Sequence, residues 1–298
     1  MSSADSFHRW TPRLEQSRAR IRFEQYHNEL NNMYWASVSA SEFADYKARH
    51  ADQVSNAHDI FCVSGGNARR VPRDIDNWRA SFSNFKKWLR LSCLVMAHSY
   101  FETYMRNIIS LALYSDPGIH FNKPKLIDGI NLVKYGGSLD VEDSVKRLVK
   151  GAWEDRIMNY EALFSRAPDK VKNNQEKLDE LRKKRNRVAH HFGRMENVTD
   201  KLIDIESGSA EGISEENLKR ALELFGALVA DFDQQLMENH IGSFEDIWNF
   251  CEFKNEFWRR YGRTTIEPAE FKNELYRKTK IRPNISYCRH LIAYYESI

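Results

Sequence analysis

Cysteine, proline, glycine and long apolar runs are all scarce in this chain of 298 residues. Its four cysteines lie far apart and form no pair with zinc-ligand spacing, so the sequence predicts reduced thiols, no metal site and no cofactor. No apolar run approaches the roughly 20 residues that cross a bilayer, and the amino terminus lacks the pattern of a signal peptide. We therefore expect a cytoplasmic protein without membrane contact.

The 13 glycines and 7 prolines cluster between periodic segments, and this distribution favours a helical protein. Apolar residues recur with a period near 3.6, so the predicted fold class is all-α. The segment 76–115 is apolar on most faces, which is typical of a helix at the centre of a bundle. Loops are expected at 63–74, 116–125, 134–140 and 165–170. The predicted helices are 12–58 (one or two helices), 76–115, 138–164, 169–192, 214–240 and short helices within 241–298.

The net charge of only +3 hides a strongly basic segment. Residues 166–194 carry ten basic and four acidic side chains, a local charge of +6, so the remainder of the chain has a charge of −3. Lysine and arginine at this density on one helix suit a surface that binds phosphate groups. A solvated helix face is the alternative that the charge alone leaves open.

Periodicity places polar side chains of this helix at the border of an apolar stripe. Arg185 lies on the stripe itself, four residues after Leu181 and three before Val188. A guanidinium on the core side costs free energy unless it is paired or lines a cleft. Asn186 and His190 lie four residues apart on the adjoining face, so we expect all three polar groups to converge. The other stripe residues are Val171, Leu178 and Phe192.

Residues 185–190, with the sequence RNRVAH, resemble the R-N-x-x-x-H motif of the HEPN superfamily, whose catalytic members are metal-independent ribonucleases. The spacing alone is weak, because Arg22 and His27 also satisfy it. The asparagine after the arginine and the alanine before the histidine strengthen the match. The segment 97–109, AHSYFETYMRNII, is similar to the family's central helix with its embedded glutamate.

The resemblance covers roughly residues 76–240, so the predicted organisation has three parts. Residues 1–75 form an amino-terminal helical extension with a linker, 76–240 a HEPN-like helical bundle, and 241–298 an aromatic-rich carboxy-terminal helical extension. The resemblance implies about four or five helices in the bundle. It also implies a homodimer in which two motifs face one another across a composite active site.

In the family the arginine and the histidine of the motif are the catalytic pair, which here are Arg185 and His190, with Asn186 as the polar residue after the arginine. The implied reaction is attack of an RNA 2′-hydroxyl on its own 3′ phosphate, which leaves a 2′,3′-cyclic phosphate and a 5′-hydroxyl. The implied role is that of a toxin or antiviral effector. Its target would be tRNA, mRNA or rRNA, and an antitoxin or another defence protein would be a further partner.

The residue types suit this chemistry independently of the resemblance. A histidine titrates near neutral pH and transfers a proton without a metal. An arginine holds two phosphate oxygens at once and offsets the charge that grows in the transition state. Supporting roles are predicted for Glu102, Arg182, Arg187 and His191, and RNA contacts for Lys183, Lys184, Arg259 and Arg260.

Alternatives remain open at each of these positions. Glu102 would pair with Arg185 or another motif base, or it would be a surface glutamate beside Arg106 on its own helix. The run 257–263 mixes aromatic rings with arginines as single-stranded RNA binding requires, although packing or a subunit interface is the more usual reason. The rival functions are a non-catalytic HEPN module that binds RNA or a protein, and a helical scaffold or adaptor.

Overall fold

The computed structural model describes residues 7–51, 56–191, 212–263 and 265–298, with the backbone alone for 189–191. Over these residues the chain is 77% helical and contains no strand, which confirms the all-α fold class. A single turn of π-helix, Met237–Ile241, follows α9. The α-helices are α1 (Arg18–Arg49), α2 (Ala57–Ile60), α3 (Ile75–Ser115), α4 (Gly129–Lys134), α5 (Glu142–Val149), α6 (Trp153–Phe164), α7 (Asp169–Asn173), α8 (Gln175–His191), α9 (Glu215–Leu236), α10 (Phe244–Tyr261), α11 (Pro268–Thr279) and α12 (Ile285–Ser297).

Several predicted helix bounds are confirmed, while two predicted helices are interrupted. Helix α3 matches the prediction of 76–115, and the Ser214 hydroxyl caps α9 by accepting from the backbone N–H of Asn217 at 3.2 Å. The single helix predicted over 138–164 is wrong, because Gly151 at φ +94° separates α5 from α6. Asn174 likewise separates α7 from α8. Among the described helices, none has the length and apolar character needed to span a membrane.

The chain forms two compact units. The first contains the described residues of Met1–Ile21, Glu102–Gln175 and Leu228–Ile298, and the second contains those of Arg22–Phe101 and Glu176–Ala227. Helices α1, α3, α8 and α9 therefore contribute residues to both units. The division at residues 75 and 240 stays a prediction.

The amino-terminal part of the first unit is not helical and is fixed by buried arginines. Arg9 donates from Nε to both carboxylate oxygens of Asp128, at 3.0 and 2.8 Å. Arg13 donates to Asp246 at 2.7 Å. The predicted helix start at residue 12 is therefore too early, since α1 begins only at Arg18.

The core of the second unit combines residues of α3, α8 and α9. Leu94, Leu181 and Phe225 are buried there, and the Phe225 ring stacks on Phe101 at a centroid distance of 5.1 Å. Helix α3 supplies this core only from Leu91 onward, and none of its residues 75–90 is buried. The expectation that the whole helix is central is thus wrong for its first turns. Their aromatic rings contact one another along the helix instead, as described below.

Candidate functional site on helix α8

Helix α8 carries the motif, and its burial follows the apolar stripe. Leu178 and Leu181 are 1% and 3% exposed, whereas Arg185 and Val188 further along the stripe are half-buried. The helix therefore leaves the core as it approaches the motif. Phe192, the last predicted stripe residue, lies outside the described residues. The Arg185 guanidinium accordingly sits at a border between core and surface.

Arg185 and Asn186 are in direct contact. The guanidinium Nη1 of Arg185 donates to the amide oxygen of Asn186 at 3.0 Å, and Asn186 is itself half-buried. An amide orients a guanidinium without neutralising it, whereas a carboxylate would compete with a phosphate for the same donors. The backbone of α8 continues through His190 and His191, but their side chains lie outside the described residues.

Ion pairs hold the basic residues that precede the motif. From residue 166 to residue 182, every lysine and arginine lies within 2.6 to 3.1 Å of a carboxylate oxygen. Residues 183–187 contain four basic side chains and no acidic one. The sequence beside the motif therefore has an excess of positive charge. The pairs are Arg166–Asp169, Lys170–Asp231, Lys172–Glu161, Lys177–Glu180 and Arg182–Asp179.

The residues predicted to support the motif or bind RNA on α8 have different surroundings. Lys183 is exposed, and Lys184 donates to the carbonyl oxygen of Gly212 at 3.0 Å. Arg187 is half-buried. Arg182 is held by Asp179 at 2.8 Å, so its charge is already offset within the helix. Lys183 is thus the cation of this group that is most open to solvent.

Glu102 has a partner that sequence reasoning missed. In the first unit its carboxylate lies 3.7 Å from the guanidinium of Arg156, which is itself buried. Arg106, the alternative partner, donates to Glu142 at 2.9 Å. The pairing of Glu102 with Arg185 stays a prediction. A contact between residues 54 positions apart leaves no trace in local periodicity, so the sequence gives no signal for Arg156.

The arginines predicted near the carboxy terminus lie at the exposed end of α10. Arg259 and Arg260 are exposed, and their aromatic neighbours Trp258 and Tyr261 are 57% and 59% exposed. Packing within the core therefore does not explain these two rings. RNA contact and a subunit interface remain as the predicted alternatives.

Sequence reasoning also missed a buried aspartate–histidine pair in the first unit. The Nδ1 atom of His240 lies 3.0 Å from the carboxylate of Asp116, and His240 lines an open groove of about 1170 Å³. The two residues are 124 positions apart, so no local pattern relates them. Over the described ranges, no group of three or more histidine, cysteine, aspartate or glutamate side chains is arranged to hold a metal ion.

The sequence model of one protein family matches residues 74–238, which is more than half of the chain. The family is described as RiboL-PSP-HEPN. This chain belongs to that family. The membership of the HEPN superfamily predicted from the motif is thereby confirmed, and the matched range includes all of α8. HEPN domains of this kind are nucleases or RNA-binding modules. No curated protein and no solved structure matches the chain significantly.

Proposed function

We propose that the protein is a metal-independent endoribonuclease of the HEPN type, with an active site on α8, and that it acts as a toxin or antiviral effector. One observation carries the proposal. A chain of the HEPN family holds the complete R-N-x-x-x-H motif on one helix, and the Arg185 guanidinium is half-buried and hydrogen-bonded to Asn186. A module that only binds RNA has no chemical need for all three residues.

The reaction is an internal transesterification of RNA. His190 takes the proton of a 2′-hydroxyl, and the 2′-oxygen forms a bond to the phosphorus of the adjacent 3′ phosphate. The bond from phosphorus to the 5′-oxygen of the next nucleotide breaks, and that oxygen accepts a proton to become a hydroxyl. In a homodimer, the same histidine of a second copy is the acid that donates this proton. DNA is not a substrate, because it lacks the 2′-hydroxyl.

Arg185 stabilises the charge that develops on the phosphate oxygens. A guanidinium donates two parallel hydrogen bonds, which fits the two non-bridging oxygens of a phosphate. Its contact with Asn186 holds it in one orientation and leaves the positive charge intact. Lys183, Lys184 and Arg187 contribute further positive charge for the RNA backbone, and His191 flanks the site.

Purified full-length protein incubated with tRNA, mRNA or rRNA in the presence of EDTA tests this function. The wild type is expected to cleave, and His190→Ala is expected to lose cleavage. Arg220→Ala is the matched control, because this arginine lies on the exposed face of α9 in a pair with Glu216.

Loss of cleavage on adding EDTA, or full activity of His190→Ala, would contradict the mechanism. RNA binding by the wild type without any cleavage would support the non-catalytic module instead. Absence of both RNA binding and cleavage would support a scaffold.

A further inference from the structure

Five aromatic rings of the second unit form one continuous stack at the start of α3. The stack begins with Phe61, which follows α2, and continues along one face of α3. Its successive ring centroids are 4.2, 4.6, 5.9 and 6.3 Å apart, and the planes of neighbouring rings differ by only 17° to 29°. We call this stack the aromatic ladder, and its members are Phe61, Trp78, Phe82, Phe85 and Trp88.

The ladder opens to solvent at one end. Trp78 and Phe82 are half-buried, whereas Phe85 is 43% and Trp88 is 60% exposed. Among the described residues, Phe85 is the only aromatic ring that stacks on Trp88, so the last ring of the array has a face available. Exposed aromatic rings in a regular array are uncommon on a surface that has no binding role.

The chain around the ladder is strongly basic. Residues 69–90 include seven basic and two acidic side chains, a local charge of +5. Two of these cations have carboxylate partners, since Arg79 pairs with Asp76 and Lys86 with Asp45. Four others are exposed and form no ion pair with any side chain in the described part of the chain, and these are Arg69, Arg70, Arg73 and Lys87.

Two of the unpaired cations, Arg73 and Lys87, lie near opposite ends of the ladder. The carbonyl oxygen of Arg73 accepts from the backbone N–H of Ala57 at 2.8 Å, which places Arg73 beside the short helix that leads to Phe61. Lys87 directly precedes Trp88. Stacked rings flanked by such cations are what a protein uses to hold the bases and phosphates of a single nucleic-acid strand.

We propose that the aromatic ladder is a binding site for single-stranded RNA, in which a base stacks on the free face of Trp88 while the phosphates follow Arg69, Arg70, Arg73 and Lys87. Phe85 supports Trp88 from the opposite face. The ladder would bind a part of the RNA substrate that does not contact the cleavage motif of α8. This role as a substrate-binding site rests on the proposed function. Base stacking tolerates any sequence, because every base has a π-face, so this site would add affinity without base specificity.

The charge favours RNA over a second copy of this chain. Two copies that met through this surface would bring two segments of charge +5 together, and such like charges repel. The near-parallel planes also leave the free face of Trp88 oriented so that one more flat ring, such as a base, would extend the array. A protein partner would gain no comparable benefit from that regularity.

A binding assay that excludes cleavage tests the ladder directly. The probe is a fluorescein-labelled oligouridylate of about 12 nucleotides with 2′-O-methyl riboses, a length within the usual site sizes for single strands. Because the 2′-oxygen is blocked, fluorescence anisotropy with the full chain reports binding alone. Since the probe cannot be cleaved by attack of a 2′-hydroxyl, a failure of the catalytic proposal leaves this result unaffected.

Trp88→Ala is expected to raise Kd about tenfold, as loss of one stacked base contact does. Phe85→Ala is expected to raise Kd by a smaller factor, because Trp88 keeps its free face but loses the ring that supports it. Trp88→Phe, which keeps a ring, is expected to bind close to the wild type. Phe121→Ala is the matched control, since Phe121 is 64% exposed in the first unit and lies outside the ladder. Replacing Arg69, Arg70 and Arg73 by glutamine is expected to lower the slope of log Kd against log salt by about 2.

Wild-type affinity of Trp88→Ala would overturn the proposal. A change in oligomeric state measured by light scattering, without a change in Kd, would assign the ladder to a protein interface and overturn it equally. Circular dichroism establishes that each variant is folded before its affinity is compared.

Discussion

Two helices of the second unit carry an arginine followed five positions later by a histidine, and their surroundings differ. In α1 the pair is Arg22 and His27, and in α8 it is Arg185 and His190. His27 stacks on Phe23 with ring centroids 5.3 Å apart. Its Nδ1 atom lies 3.3 Å from the amide nitrogen of Asn31. Arg22 is exposed.

The residue that follows each arginine explains the difference. In α1 it is Phe23, which is 3% exposed and belongs to the core, so the histidine one turn later serves packing. In α8 it is Asn186, which accepts a hydrogen bond from Arg185 at the border of the core. The spacing alone therefore does not define a site. Under the proposed function, the polar residue after the arginine is what distinguishes the α8 motif from the same spacing in α1.

The strongest test of this comparison replaces the two arginines in turn. Arg185→Ala is expected to lower the rate of RNA cleavage about a thousandfold, because the charge on the phosphate in the transition state loses its stabilising donor. Arg22→Ala is expected to cleave at the wild-type rate. Arg185→Lys should fall between the two, since it keeps the charge but loses the planar pair of donors. Equal losses in Arg22→Ala and Arg185→Ala would contradict the comparison.

A carboxyl group of the first unit is expected to govern much of the pH dependence of stability. Burial raises the pKa of Glu245 to about 7 from its ordinary value of 4.5, although the nearby Arg18 acts in the opposite direction. The folded state then binds a proton that the unfolded state has released, so the free energy of unfolding falls as pH rises from about 4.5 to 7.

Glu245→Gln removes this titration. Between pH 5 and pH 8 the wild type is expected to lose about 2 kcal/mol of stability relative to the variant, measured by urea unfolding. If the free energy of unfolding changed with pH in the same way in both proteins, the Glu245 carboxyl group would be ionised in the folded state over the whole pH range, which would contradict this prediction.

Replacing Asn186 on α8 and Asn31 on α1 by alanine is expected to give a smaller difference in cleavage rate than replacing the two arginines. Asn186→Ala is expected to reduce cleavage about tenfold, because Arg185 keeps its charge but loses the group that orients it. Asn31→Ala, the matched change on α1, should leave the cleavage rate unaltered. A larger loss in Asn31→Ala than in Asn186→Ala would place the reaction near α1 instead.

Replacing His27 is expected to change the stability of the fold and not the rate of cleavage. This is the smallest of the expected effects. Burial lowers the pKa of His27 below its ordinary value of 6.5, so the unfolded state takes up a proton first and stability falls as pH drops below about 6.5. His27→Gln is expected to cost about 1 kcal/mol at pH 7.5 and to weaken this loss at lower pH. Reduced cleavage by a folded His27→Gln protein would refute the structural role.

Local signals in the sequence predicted the helices well where a cap or a break is encoded nearby. Ser214 marked the start of α9, and the apolar segment 76–115 gave the bounds of α3. The break at Gly151 was missed because a single glycine is weak evidence against a helical segment, although glycine adopts a positive φ more readily than other residues. The exposure of Phe85 and Trp88 was missed for another reason, since apolar character predicts burial only where a second element covers the helix.

The family and the candidate motif could be predicted from the sequence because the residues that identify them lie close together in the chain. Residues 185–190 span less than two turns, so their spacing, their neighbours and their shared helix face are readable from the sequence. Contacts between distant residues were not accessible. Glu102 meets Arg156, and Arg9 meets Asp128 over 119 positions, and neither pairing has a signal in periodicity or charge counts.

The chemical nature of the ends of the cleaved RNA tests the central claim most directly. Wild-type protein in EDTA is expected to produce 2′,3′-cyclic phosphate and 5′-hydroxyl ends. A substrate with a 2′-deoxyribose at the cleaved position is expected to remain intact, since its nucleophile is absent. Products with 3′-hydroxyl and 5′-phosphate ends, or cleavage at the 2′-deoxy position, would contradict the proposed mechanism of the α8 motif.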